Sequence, residues 1–185
     1  MMERYVEFAV QTTVELLAID SPSGYTEEAM AYVQNAFRSL GYSAELTRKG
    51  GVIADLGGKA AEDAIVLAAH GDTLGAMVTE IKSNGRLRIE NVGGLSCHSI
   101  ECENCRVVTK FNGIYEGTFQ ICNPSVHINP EFESVPRKYS EMEVVLDEIV
   151  GNAEETRALG IMPGDFVCFD PRTRVTEKGY FYSFI

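Results

Sequence analysis

What the sequence lacks sets the first limits on what this chain does. No apolar run approaches the length of about 20 residues that a membrane-spanning helix needs. Lysine and arginine are scarce and unclustered: 16 basic residues stand against 27 acidic ones, for a formal net charge of −11. Because a phosphate backbone needs clustered cations to neutralise it, we expect neither a membrane nor a nucleic acid as a partner.

Two common catalytic motifs and a leader sequence are also missing. Gly57-Gly58-Lys59 lacks the second half of a phosphate-binding loop, and no G-x-S-x-G nucleophile elbow is present. The first 20 residues carry acids within their apolar pattern and no small-residue cleavage site, so they do not read as a signal peptide. The five cysteines are an odd number, which does not favour a disulfide framework. We therefore expect a cytoplasmic protein.

The amino-acid content is that of a folded globular protein. The chain has 185 residues, of which 45% are hydrophobic and 23% are charged. This length suits one full domain or two small ones. In the first part, apolar periodicity and turn residues predict two helices and a hairpin, over Met2–Ile19, Glu27–Leu40 with Thr26 as N-cap, and Ala44–Arg48 with Val52–Leu56.

The segment Ile65–Ala69 has no polar residue, and His70 follows it directly. An apolar run of this length predicts a strand that is covered on both faces, as in the centre of an α/β sheet. Ligands of open α/β sheets bind outside the carboxyl ends of the strands. The position of His70 is therefore that of a binding or catalytic residue.

Asp72 follows His70 by two positions, and alternate side chains of an extended segment point the same way. Gly71 leaves the backbone between them unobstructed. A histidine that binds a metal usually gives its second N–H to a carboxylate or a carbonyl. One interpretation is a metal ligand with its supporting carboxylate; the other is a histidine that is merely hydrogen-bonded at a strand end.

The pattern changes after about residue 76 to short apolar segments separated by turns. Such a pattern predicts a small barrel or sandwich. Asn152-Ala153-Glu154-Glu155 has the spacing of a capping box and predicts a short helix that ends at Gly160. The predicted strands are Ala76–Ile81, Leu87–Asn91, Arg106–Thr109, Ile114–Gln120 around an Asn112-Gly113 turn, Met142–Leu146, Phe166–Phe169 and Tyr180–Ile185.

A cysteine cluster lies within this β-rich part. The spacing of Cys97, Cys102 and Cys105, with Cys122 further on, is that of plant-type two-iron ferredoxins and could also hold a structural zinc. Against this, the spacing to the fourth cysteine is loose. We favour free thiols in a β domain and keep a metal-binding module as the alternative.

The order of several segments along the chain resembles a known family. These segments are "SPSG", "EEAM", "GGVIADLGG", "IVLAAHGDTLGAMV", "YEGTFQ", "NPSVH" and "EETRALGIMPGDFVCFDP". In this order they resemble the tetrahedral aminopeptidases, which are cytosolic metallopeptidases with two co-catalytic zinc ions and include members labelled glutamyl aminopeptidase or endoglucanase. The chain departs from the family at Gly93-Gly94-Leu95, where a tryptophan is common in place of the leucine.

The resemblance implies a fold and a division of the chain. The fold is an α/β catalytic domain interrupted by a PDZ-like β-barrel that serves in dimerisation, so we expect a homo-oligomer formed through the insert. The first part of the catalytic domain would be residues 1–75, the insert 76–164, and the return strands into the catalytic domain 165–185.

The resemblance also implies the reaction and two of the residues. His70 matches the first zinc-ligand histidine, and Asp72 matches the aspartate that supports it. Two zinc or cobalt ions would activate a water that attacks the peptide bond next to a free N-terminus, with a glutamate as base. The remaining ligands and the base would follow "GYFYSFI", beyond Ile185. We therefore expect the 185-residue chain to be inactive alone; the alternative is a non-catalytic fragment or an oligomerisation module.

Overall fold

A computed structural model describes residues 2–60, 62–111 and 113–184, with the side chain of Met2 left out. The chain forms two compact units. Unit 1 runs up to Thr73 and takes in Thr173–Ser183, and unit 2 comprises Leu74–Arg172 with Phe184. Within the described residues, no helix combines the length and the apolar character that a membrane crossing requires.

Unit 1 contains two helices and two small hairpins. The helices begin and end close to the predicted positions, although the side chain of Thr26 makes no capping hydrogen bond to α2. The hairpins are two separate two-stranded antiparallel sheets, β1 with β2 and β9 with β10. The elements are α1 (Met2–Leu17), α2 (Glu27–Ser39), β1 (Ala44–Leu46), β2 (Val52–Ala54), β9 (Arg174–Val175) and β10 (Phe181–Tyr182).

The predicted buried strand Ile65–Ala69 is wrong for this chain. These residues form no strand, and the side chains of Ile65, Val66 and Leu67 are 84–88% exposed. A strand exists only where a neighbour accepts and donates its backbone hydrogen bonds, and the described part of the chain places none beside this segment. The apolar pattern therefore indicates a tendency to form a strand, but no strand forms at Ile65–Ala69.

Unit 2 is a closed antiparallel barrel of six strands. The order around the barrel is β3-β4-β7-β6-β5-β8, and β8 pairs with β3 to close it. Alternate side chains of the strands point inward, which explains the alternating apolar pattern. The elements are β3 (Gly75–Ile81), β4 (Leu87–Val92), α3 (Cys97–Ile100), β5 (Asn104–Thr109), β6 (Gly113–Ile121), a 3-10 turn (Tyr139–Glu141), β7 (Met142–Leu146), α4 (Ala153–Ala158) and β8 (Phe166–Phe169).

Two details differ from the expectations for the later part of the chain. β8 lies in the barrel, because both of its edges are hydrogen-bonded to barrel strands, whereas we assigned 165–185 to the return into the catalytic domain. The predicted strand Tyr180–Ile185 is reduced to the two residues of β10. Asn112 of the predicted turn and Ile185 lie outside the described residues.

The helix predicted from its capping pattern is confirmed. Asn152 is the N-cap of α4, and its side-chain oxygen accepts hydrogen bonds from the backbone N–H groups of Glu154 and Glu155, both at 3.0 Å. Gly160 follows the helix with a φ of +87°. A left-handed residue at this place is a common helix stop, because it costs glycine no steric clash.

Aromatic side chains form the centre of the barrel core. Phe119 of β6 is 0% exposed and packs edge-to-face against Phe169 of β8, with ring centroids 6.2 Å apart. Tyr139 covers Phe119 from the 3-10 turn at 6.0 Å and donates a hydrogen bond to the carbonyl of Leu95 at 2.8 Å. The ring of Phe119 therefore joins three separate segments of unit 2.

A buried carboxylate fixes the β3–β4 turn to β7. Glu143 of β7 is 1% exposed and forms ion pairs with Lys82 and Arg86, which stand at the two ends of that turn. Between them, Gly85 adopts a φ of +83° and donates a backbone hydrogen bond to Lys82 at 2.9 Å. The buried carboxylate of Glu143 is thus paired with two cations and is not left as an isolated buried charge.

We predict that Phe119→Ala lowers the free energy of unfolding of the barrel by about 3–5 kcal/mol, because it removes a fully buried ring that joins three segments. Urea unfolding followed by the amide NMR signals of barrel residues measures this. Phe111→Ala is the matched control, since Phe111 is 71% exposed, and we expect a change within about 0.5 kcal/mol. Equal effects of the two substitutions would contradict this account of the core.

Candidate functional site

The loop after α1 lies beside the segment that carries His70 and Asp72. The backbone N–H of Thr73 donates to the carbonyl of Ser21 at 2.8 Å, and Pro22 and Thr73 form a parallel bridge. The buried Ser21 hydroxyl also donates to the carbonyl of Gly71 at 3.2 Å. These bonds fix residues that are about fifty positions apart in sequence.

This pairing brings three side chains into one hydrogen-bonded series. The Ser23 hydroxyl donates to Oδ2 of Asp72. The other carboxylate oxygen, Oδ1, lies 3.2 Å from Nδ1 of His70. Nδ1 is also 3.2 Å from the carbonyl oxygen of Asp72. Both contacts suit a proton on Nδ1, which leaves the lone pair of Nε2 available to a ligand.

The imidazole of His70 is exposed, and the carboxylate beside it is partly buried and charged. The His70 side chain is 87% exposed, whereas that of Asp72 is 38% exposed. The pKa of the Asp72 carboxyl lies below its usual value, chiefly because the Ser23 hydroxyl donates to it; burial acts in the opposite direction, and His70 lowers the pKa further. Ser23 thus favours the charged form of Asp72, the form that orients an imidazole.

The structure brings His70 and Asp72 together as a pair and adds Ser23 to them. The sequence did not single out Ser23 beyond its place in a loop, since nothing local shows that a residue so distant in the chain reaches Asp72. The only available signal was that "SPSG" belongs to the ordered series of family-like segments. The roles of His70 and Asp72 in metal binding stay predictions.

The residues present do not make a complete metal centre. A catalytic zinc takes about three protein ligands, and a site for two zinc ions takes more. Among the described residues, no group of three or more histidine, cysteine, aspartate or glutamate side chains is placed to hold a metal ion. His70 fits one position of such a site, and the pair of zinc ions does not fit the side chains of this chain alone.

The four cysteines of the alternative metal cluster do not come together. Cys97 and Cys105 are buried on α3 and β5, whereas Cys102 and Cys122 are exposed. Burial raises the pKa of the Cys105 thiol to about 12, so it is protonated at neutral pH. Metals bind the thiolate rather than the thiol. The arrangement agrees with free thiols in a β domain.

Comparison with known proteins identifies one family. The family model described as M42 glutamyl aminopeptidase matches residues 50–184. The Bacillus subtilis protein YhfE, which carries a provisional aminopeptidase name, is 41% identical over 169 residues, or 91% of this chain and 49% of its own length. The family match over residues 50–184 includes the segment that carries His70 and Asp72.

Solved structures of tetrahedral aminopeptidases have the same fold as this chain. The TET aminopeptidase of a marine-sediment archaeon of the Thaumarchaeota superposes with a TM-score of 0.78 at 20% identity, covering 94% of this chain and 47% of that one. The TET1 peptidase of Pyrococcus horikoshii, described as able to assemble into a tetrahedron or a large octahedral shell, gives a TM-score of 0.72 at 24% identity, covering 91% and 48%. These matches support an α/β peptidase-like fold that contains the barrel.

The matches cover most of this chain but only part of each relative. The chain spans about half the length of the curated relatives that it matches. The similarity therefore covers the parts of the fold described above.

We predict that Ser23→Ala raises the pKa of the Asp72 carboxyl toward its usual value, because the largest contribution to its lowering is lost. An NMR titration of the carboxyl carbon of Asp72 measures this. Because a lowered carboxyl pKa stabilises the fold at pH values above the unfolded pKa, the same variant should lose less stability than the parent as the pH falls through that range.

Ser39→Ala is the matched control. The Ser39 hydroxyl is exposed on α2 of the same unit and donates only to the backbone of its own helix, to the carbonyl of Ala36 at 2.8 Å. We expect this substitution to leave the Asp72 titration unchanged. An Asp72 pKa that stays low in Ser23→Ala would show that Ser23 does not hold the carboxylate.

Proposed function

Since the chain belongs to the M42 glutamyl aminopeptidase family, we propose that it forms the N-terminal part of a metal-dependent aminopeptidase. In this proposal His70 is a ligand to one of two zinc or cobalt ions, and Asp72 holds the imidazole in position. The observation that carries the proposal is the series from Ser23 through Asp72 to His70, which leaves Nε2 of His70 free. Asp72 and His70 lie within the family match.

The exposed apolar surface of unit 1 supports an incomplete catalytic domain. Ile65, Val66 and Leu67 stand almost fully in solvent, and Tyr5 and Phe8 of α1 are at least half exposed. Large apolar side chains exposed in such numbers are typical of a surface on which other protein packs. We propose that the second half of the family's fold covers this surface and supplies the strands that make Ile65–Ala69 a strand.

The number of metal ligands limits what the 185 residues can do alone. One histidine and one supporting carboxylate cannot hold two zinc ions, so we propose that this chain does not hydrolyse peptides without further residues. The partner of the complete enzyme would be a peptide with a free N-terminus. The free thiols of Cys97, Cys102, Cys105 and Cys122 suit a reducing compartment, and a cytosolic location is part of the proposal.

The barrel is the proposed oligomerisation module. We propose that it is the PDZ-like insert of the family and that copies of the complete protein associate through it. The relative from Pyrococcus horikoshii assembles into closed shells, and three apolar side chains of the barrel unit, Phe111, Ile114 and Ile149, are more than half exposed. In this proposal the catalytic domain takes residues 1–75 and the insert begins at residue 76; the insert extends past the predicted end at 164 to include β8, and the return into the catalytic domain follows β8.

The central prediction concerns activity. In a protein that carries this chain followed by the second half of an M42 enzyme, His70→Ala should abolish the release of N-terminal residues from aminoacyl p-nitroanilides. Asp72→Asn should reduce kcat/KM by about 10–100-fold, as is usual for a group that orients a metal ligand. The chain of 185 residues alone should show no activity.

The exposed His127, in a loop of the barrel unit, supplies the control, and His127→Ala should leave kcat/KM unchanged. Activity that survives His70→Ala would remove His70 from the site. Activity that depends on metal in a preparation of the 185 residues alone would contradict the ligand count. If the parent protein folds but shows no activity, and neither His70→Ala nor His127→Ala changes this, the alternative of a non-catalytic chain is favoured.

Association through the barrel has its own test. We predict that Ile149→Glu shifts sedimentation velocity profiles of the complete protein toward smaller species, because it places a charge on a fully exposed apolar residue of the proposed interface. Ile128→Glu, in an exposed loop, is the control and should leave the profile unchanged. An unaltered profile in Ile149→Glu would place the interface elsewhere.

A further inference from the structure

A lysine and a cysteine that are far apart in sequence meet in the barrel unit. Nζ of Lys82 lies 3.4 Å from Sγ of Cys122. The two residues are 40 positions apart in sequence and stand at the ends of different strands, Lys82 after β3 and Cys122 after β6. Nothing in the proposed peptidase chemistry uses this pair.

Lys82 is held in place by the buried carboxylate of β7. Glu143 accepts a hydrogen bond from Nζ of Lys82 and is itself almost fully buried. The backbone N–H of Lys82 donates to the carbonyl of Arg86 at 2.8 Å, which closes the turn. Both ends of the lysine are therefore fixed, and its ammonium group contacts both the Glu143 carboxylate and the Cys122 sulfur.

Cys122 is fixed by the barrel and is still reached by solvent. Its backbone N–H donates to the carbonyl of Glu141 at 3.1 Å, directly after the paired residues Ile121 and Met142. Its side chain is exposed, unlike those of Cys97, Cys105 and Cys168. A small oxidant can therefore reach a sulfur that already has an amine nitrogen beside it.

We propose that Lys82 and Cys122 are the site of an oxidative cross-link, in which a peroxide oxidises the thiol and the lysine nitrogen then bonds to the sulfur. This joins the β3–β4 turn to the end of β6. The geometry supports it because the bond to be formed replaces a contact that exists in the reduced protein, so little conformational freedom is lost in forming it.

The reaction balances in two steps. First, the Cys122 thiol and hydrogen peroxide give the sulfenic acid and one water, so sulfur is oxidised and peroxide oxygen is reduced. Second, the Lys82 ammonium loses a proton to the carboxylate of Glu143, and the free amine attacks the sulfenic sulfur. The S–N bond forms as the S–O bond breaks, and the departing hydroxide leaves as water with the second proton of nitrogen.

The protonation states set the speed of this chemistry. Burial raises the pKa of the Cys122 thiol, and the charge of Glu143 acts in the same direction, while Lys82 opposes them. The thiolate is the form that reacts with peroxide, so the first step is slow at neutral pH. The cross-link therefore forms slowly and needs excess peroxide.

The test is mass spectrometry of the folded chain after treatment with hydrogen peroxide. We expect a peptide pair that contains Lys82 and Cys122 joined together, with two hydrogen atoms fewer than the reduced pair, and its loss on treatment with a thiol reductant. Cys102, the other exposed cysteine, is an internal control and should give sulfenic or sulfinic acid without a bond to lysine.

Variants distinguish this bond from general oxidation. Lys82→Arg keeps a cation beside Glu143 and should lose the cross-link, so that Cys122 proceeds to sulfinic acid. Lys138→Arg, in an exposed loop, should cross-link as the parent does. Oxidation of Cys122 to sulfinic acid without a cross-link in the folded parent chain, or an equal yield of cross-link in Lys82→Arg, would overturn the proposal.

Discussion

The pairing of β3 with β8 is the constraint on which the barrel depends. Ala76 and Val167 lie opposite each other in this pairing, although almost the whole of unit 2 separates them in sequence. Bringing distant segments together costs loop-closure entropy, which the burial of the core offsets. Because the barrel closes on itself, the strands by which the chain enters and leaves it are hydrogen-bonded neighbours, and unit 2 has a core of its own.

The candidate site depends on a second long-range contact, between Ser21 and Thr73. This backbone bond sets the loop of "SPSG" beside the segment that carries His70. Ser23 can then hold Asp72, and Asp72 contacts the imidazole. The proposed ligand is thus oriented by residues from two segments, while its own side chain stays in solvent. An imidazole that is oriented by a carboxylate and exposed at its other nitrogen is suited to bind a metal ion.

The sequence was a good guide where local chemistry decides the structure. The hairpin around Gly50-Gly51, the helix capped by Asn152 and the strand Met142–Leu146 are all found as expected, since turn residues, caps and alternation act over a few positions. It failed at Ile65–Ala69, because an apolar run becomes a strand only when neighbours pair with it. It also missed Ser23 and the Lys82–Cys122 contact, which depend on how distant strands and loops are registered.

We propose that these 185 residues carry one zinc ligand, His70, and the carboxylate that orients it, Asp72. A complete metal centre would need further residues. Equilibrium dialysis against zinc in the presence of a competing chelator, compared between the parent chain and His70→Ala, tests this most directly. The account predicts that neither chain retains a zinc ion against the chelator. Two zinc ions retained per parent chain, and lost together in His70→Ala, would contradict it.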